Sequence, residues 1–179
     1  MNKGDRYVSV HLNPRTQTAI LFPYVCFMGG CGRGFGDARE LKQANPLTLG
    51  DCLVEMLEHC KEADISAMQE RHMSLLRRYW QGEDDAFKNE GVNIPSWTRL
   101  WRIYRALTKG PATILRQFSV CDVIENDHMK NRRIERTERS DHPGGTKPGE
   151  SIRIPVGTSA LHLGEVVLDF LRRNPSNSQ

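Results

Sequence analysis

The chain lacks the features that would place it in several large classes of protein. No apolar run comes near the roughly 20 residues that cross a bilayer; the longest, Ala19 to Phe22 followed by Pro23 to Met28, is half that. The first twelve residues, MNKGDRYVSVHL, have neither a continuous apolar stretch nor a small-residue cleavage site. These absences predict a cytoplasmic chain. Cysteine is sparse and odd in number (Cys26, Cys31, Cys52, Cys60 and Cys121), which is no basis for a disulfide framework. Reduced, buried thiols are expected instead.

The usual signatures of chemistry are missing too. The glycines of Gly29 to Gly36 do not fit GxGxxG in any register, and no GK(S/T) follows. Neither Cys26 and Cys31 nor Cys52 and Cys60 has the spacing of a zinc knuckle, so no metal or other cofactor is expected. There is no GxSxG and no HExxH. Cys31 in its glycine setting is the first candidate for a Cys-His nucleophile assembled in three dimensions. The sequence therefore reads as a binding protein and not an enzyme, with no catalytic residues assigned.

What is present suits one α+β domain over residues 1–179. The composition, 38% hydrophobic and 26% charged, is ordinary for a folded protein and argues against disorder. Alternation over Tyr7 to Leu12, a turn at Asn13 to Thr16 and a second run from Ala19 to Met28 predict a strand pair. Gly29 to Gly36 reads as a flexible loop suited to a partner surface. Asn45-Pro46 predicts a helix start, with Leu49, Leu53, Met56, Leu57 and Cys60 at helical spacing. A polar helix follows from about Ile65 to Arg78, then an acidic break at Gln81 to Asp85. A third helix is expected after Ile94-Pro95, capped by Ser96, with Trp97, Leu100, Trp101, Tyr104 and Leu107 as its stripe and Lys109-Gly110-Pro111 as its end. Strands at Arg116 to Ile124, Ile134 to Glu138 and Ile152 to Val156 and a last helix complete an antiparallel or mixed sheet flanked by about four helices.

The last helix repeats the first. Leu49-Gly50-Asp51 matches Leu163-Gly164-Glu165, and Glu55 and Leu57 match Asp169 and Leu171 without a gap. Each copy follows a strand of related form, Ile20 to Pro23 and Ile152 to Pro155, so the repeated unit spans residues 20–60 and 152–173. A glycine this early in a helix costs about 1 kcal/mol against alanine, and close approach of the helix to a sheet is the expected compensation.

Phe22-Pro23-Tyr24, Leu49-Gly50-Asp51-Cys52-Leu53, Cys121-Asp122-Val123 and Leu163-Gly164-Glu165 form, in this order, a set of landmarks across most of the chain. The pattern resembles the immunity proteins of bacterial contact-dependent growth inhibition systems. That resemblance implies a cytoplasmic antidote that binds the C-terminal toxin domain of a surface-delivered effector, often a nuclease, and covers its active site. The net charge of +3 gives no acidic surface by itself, but residues 51–70 hold six acids against Lys61 alone. Steering depends on such patches. Glu62, Asp64, Glu83, Asp84 and Asp85 are the expected partner contacts. The alternative is a nucleic-acid surface made of Arg99, Arg102 and Arg105 on one helix face with Arg132 and Arg133 beyond it.

Overall fold

Alternation in the first strand decides which way the sheet faces. In this computed structural model, which describes residues 4–28, 31–83, 85–86, 99–109, 117–139 and 146–173, β1 is Arg6–Asn13. Val8, Val10 and Leu12 are fully buried on one side of it, leaving Tyr7, Ser9 and His11 for the other. A turn in which Asn13 Oδ1 accepts from the amides of Arg15 (3.0 Å) and Thr16 (3.3 Å) leads into β2, Thr18–Met28. The two strands pair antiparallel, from Asn13 against Thr18 to Arg6 against Val25.

The glycine-rich stretch is not simply a loop. Cys31–Gly34 forms β3, paired with β2, and a short β4, Arg39–Leu41, returns along β2 as well. Among the described residues the sheet has seven strands in the order β3-β2-β1-β5-β6-β7, with β4 also on β2. The remaining strands are β5 (Ser119–Glu125), β6 (Asn131–Arg139) and β7 (Thr146–Pro155). Every pairing is antiparallel. The related segments Ile20 to Pro23 and Ile152 to Pro155 hold different places: β2 lies inside the sheet and β7 ends it.

Helix α1, Pro46–His59, starts where expected. Asn45 Oδ1 accepts from Thr48 N (3.0 Å), and Asn45 N donates back to Thr48 Oγ1 (3.3 Å). A 3₁₀ turn, Cys60–Glu62, joins it to α2, Ile65–Trp80. Helix α3 is Arg99–Lys109 and α4 is Ala160–Arg173. The expected cap at Ser96, Trp97 and the stop at Gly110-Pro111 lie outside the described residues, as do Gly29 and Gly30 of the glycine stretch.

Helices α1 and α4 cover one face of the sheet. Leu49, Leu53, Leu57, Leu163, Val167 and Leu171 form a single core with Val8, Val10, Leu21, Cys121, Val123 and Ile134. On the opposite face Leu100, Trp101, Ile103 and Tyr104 of α3 pack against Ile20, Phe22 and Phe118. The rings of Phe22 and Tyr104 are 5.3 Å apart. Leu75 is the one buried residue of α2, and the helix meets the sheet where His72 lies against Phe27. Cys26, Cys52, Cys60 and Cys121 are buried and form no disulfide among the described residues.

The two helix glycines do not serve approach to the sheet. They serve the approach of α1 to α4. A Cβ on Gly50 would stand 1.7 Å from the carbonyl oxygen of Ala160, and one on Gly164 would stand 1.8 Å from that of Pro46 and 3.0 Å from Gly50 N. Each helix thus presses its own backbone into the space a side chain would fill on the other, and the repeat places the same residue at both sides of the contact.

No backbone carbonyl can retreat from these contacts without moving its helix. Gly50→Ala and Gly164→Ala should therefore each cost about 3 kcal/mol and lower the thermal midpoint by roughly 10 °C, although alanine is the better helix former. Gly157→Ala, where nothing lies within 4 Å, should leave the midpoint within about 2 °C. Circular dichroism melts decide this, and unchanged midpoints for both helix variants would remove the close contact from the account.

Candidate partner-binding cleft

The spacing of exposed residues on α1 creates its outward stripe. Leu47, Asp51, Glu55, Glu58 and, on the 3₁₀ turn, Glu62 recur at intervals of three and four and are all exposed. The lower half of this stripe borders a cleft of about 500 Å³. Its lining comes from three places: Pro23 on β2, Asp37 and Arg39 at β4, and Glu55, Met56, Glu58, His59 and Glu62 on α1 and the turn.

Several side chains in the cleft are held by pairing. Arg39 grips Glu55 with both Nη atoms, each 2.5 Å from a carboxylate oxygen. This holds the Glu55 carboxyl below its usual range, chiefly through those hydrogen bonds. His59 Nδ1 is 3.0 Å from Glu62 Oε2, and Glu58 pairs with Lys61. The ring of Phe35 lies 5.1 Å from that of His59. Gly36 has φ +89°, and a Cβ there would be 2.8 Å from His59 Cδ2. The glycine-rich stretch thus ends in a turn that only glycine fits, so that His59 can lie down over it. Carboxylates outnumber cations along this wall, and the chemistry it offers is capture of a lysine or arginine side chain.

Of the residues expected to contact a partner, the fold brings only Glu62 to this cleft. Asp64 is the N-cap of α2, its Oδ1 accepting from Ala67 N at 2.9 Å. Glu83 sits at the far end of α2, where Arg78 Nε donates to it at 2.8 Å. Asp85 is exposed beside it, and Asp84 lies outside the described residues. Sixteen helical residues, about 24 Å, separate the two groups, so they do not form one patch. Asp37, Arg39, Glu55, Glu58 and His59 were missing from the expected contacts. The three-and-four spacing of Glu55, Glu58 and Glu62 could have shown the α1 wall, whereas Asp37 and Arg39 depend on β4.

The basic residues divide as well. Arg99, Arg102 and Arg105 are exposed together on α3, with Arg99 Nη2 3.3 Å from Glu40 Oε1. Arg132 does not extend that surface: it lies on the α1 and α4 side of the sheet with Ile134, whereas Arg133, its neighbour on β6, faces the α3 side. Arg132 is 4% exposed, with Nε 2.7 Å from Glu125 Oε2. Glu125 is also approached at 3.5 Å by buried Arg6, which in turn binds Asp127 at 2.7 Å. Arg133 points the other way, 2.7 Å from Glu135.

The α3 side of the sheet holds a polar residue under load. His11 lies edge-on to Phe22 with ring centroids 5.2 Å apart, its Nε2 is 3.2 Å from Ser9 Oγ, and its Nδ1 is buried with no hydrogen-bond partner among the described residues. Burial pushes this imidazole down to about 4. Between that value and the ordinary 6.5 the unfolded chain binds the extra proton, so stability is complete above pH 6.5 and falls as the pH drops toward 4. The expected loss is about 3 kcal/mol over that range. In His11→Phe the slope should flatten, as read by urea unfolding across the window; equal slopes would contradict it.

No family model matches the chain, and no curated protein matches it. Among solved structures, a protein of unknown function from Neisseria meningitidis is similar with a TM-score of 0.54 and 14% sequence identity, over 97% of each chain. At that identity the likeness shows a shared fold and nothing more.

Proposed function

We propose that this protein is a cytoplasmic immunity protein: it binds the toxin domain of a surface-delivered effector, of nuclease type, and neutralises it by covering the active site. The observation that carries the reading is the acidic cleft, with Glu55, Glu58 and Glu62 on one helix wall and Asp37 opposite. The surface with which a nuclease holds phosphates is basic, and an acidic wall steers such a partner into contact. The order of sequence landmarks supports the same assignment. Binding of this kind is stoichiometric and needs neither cofactor nor turnover.

One observation favours a second reading. Arg99, Arg102 and Arg105 stand exposed at intervals of three on α3, a row that suits a nucleic-acid backbone. Under that reading the chain binds DNA or RNA with strong salt dependence, and Arg102→Ala with Arg105→Ala abolishes it.

Co-expression separates the two. Cells producing the toxin domain encoded next to this gene should grow when residues 1–179 are present. Glu58→Lys with Glu62→Lys should weaken that rescue and slow association of the purified proteins by about tenfold at low salt, with dissociation little changed. Full rescue and unchanged association would remove the cleft from the interface. No rescue by the wild-type chain, with salt-dependent nucleic-acid binding in its place, would replace the first reading by the second.

A further inference from the structure

The same two helices expose an apolar feature that the fold does not use. Leu47 is 52% exposed and Leu161 is 47% exposed, while Leu49 and Leu163, two residues further on, are fully buried. The repeat thus supplies two leucines in each copy, one for the core and one for solvent. Single surface leucines are common and need no explanation. Here, however, both stand at one place. Each directly follows the residue whose carbonyl presses on the other helix's glycine, Pro46 on Gly164 and Ala160 on Gly50. The leucines therefore flank the crossing of α1 and α4.

Acids follow each leucine at the same interval. Asp51 and Glu55 lie four and eight residues beyond Leu47, and Glu165 and Asp169 four and eight beyond Leu161, all exposed. Some of these charges are engaged, Glu55 by Arg39, Glu165 by His162 at 3.2 Å and Asp169 by Arg173. On α1 the stripe runs on through Glu58 to Glu62 and so into the cleft. From Leu47 to Glu62 it spans fifteen residues, about 22 Å, the scale of one side of an ordinary protein interface.

From this arrangement we infer that Leu47 and Leu161 form the apolar anchor of the toxin interface, taking a protein surface whose apolar centre is ringed by lysine and arginine. The inference rests on the immunity reading and adds to it where the contact is centred. Charge selects the occupant. Along the α1 stripe Asp51, Glu55, Glu58 and Glu62 outnumber Arg39 and Lys61, which disfavours nucleic acid and an anionic membrane, and a second copy of this chain would set those acids against each other. An apolar pair bordered by the acids of α1 has the make-up of an interface core with part of its rim.

The test uses the full chain and the toxin domain encoded next to it, with affinity read by surface plasmon resonance. Leu47→Ser with Leu161→Ser should raise Kd at least tenfold through faster dissociation, with the thermal midpoint held. Trp80→Ser, which removes a still more exposed apolar side chain (70%) at the end of α2, should change Kd less than twofold. Wild-type binding with an unchanged Kd in the leucine variant overturns the anchor and leaves the immunity reading in place. Equal losses in the leucine and Trp80 variants also overturn it. Absence of any wild-type complex overturns both.

Discussion

Two backbone carbonyls, those of Pro46 and Ala160, sit where side chains would stand if residues 164 and 50 were anything but glycine. The rest of the structure depends on that contact. It draws α1 and α4 together so that their leucines close over one sheet face as a single core, joining the first half of the chain to the last. It also fixes what the helices show outside. Once Gly50, Leu53 and Leu57 are turned inward, helical geometry leaves no choice about which residues face solvent: Leu47, Asp51, Glu55 and Glu58 on α1.

The two sheet faces carry different burdens. The face under α1 and α4 is almost wholly apolar, except at the ends of β1, β5 and β6, where Arg6, Glu125 and Arg132 are buried together. Removing one partner there would strand a charge, which makes the cluster more a determinant of strand alignment than a source of net stability. The face under α3 mixes Ile20 and Phe22 with Ser9, His11 and a stacked pair, Tyr7 and Tyr24, 4.8 Å apart. Burial raises both phenols and depresses His11, so this side is sensitive to acid.

Much of this was legible in the sequence because it rests on local chemistry. Alternation in β1 and the Asn45-Pro46 helix start follow from residues a few positions apart, and they hold. The repeat was visible too, yet its glycines were expected to meet the sheet, because nothing local says which neighbour a glycine faces. The strand in Cys31–Gly34 was hidden by glycines, which weaken strand propensity and leave β2 to dictate the pairing. The cleft was legible only on one wall. Glu62 belongs to a helical stripe readable by spacing, while Asp37 and Arg39 reach it through β4, whose existence depends on partners eighteen or more residues away along the chain. Arg132 and Arg133 looked like neighbours in one basic cluster, and a strand separated them.

Under the proposed reading, a helix pair that presents an acidic wall and an apolar crossing serves to be complementary to one other surface. The account's central claim is therefore stoichiometric. Titrating the wild-type chain into a fixed amount of the active toxin domain, and following residual toxin activity, tests it most directly. The account predicts a linear loss of activity that ends at one chain per toxin molecule. Complete inactivation at a small fraction of an equivalent, which only turnover could produce, would contradict it.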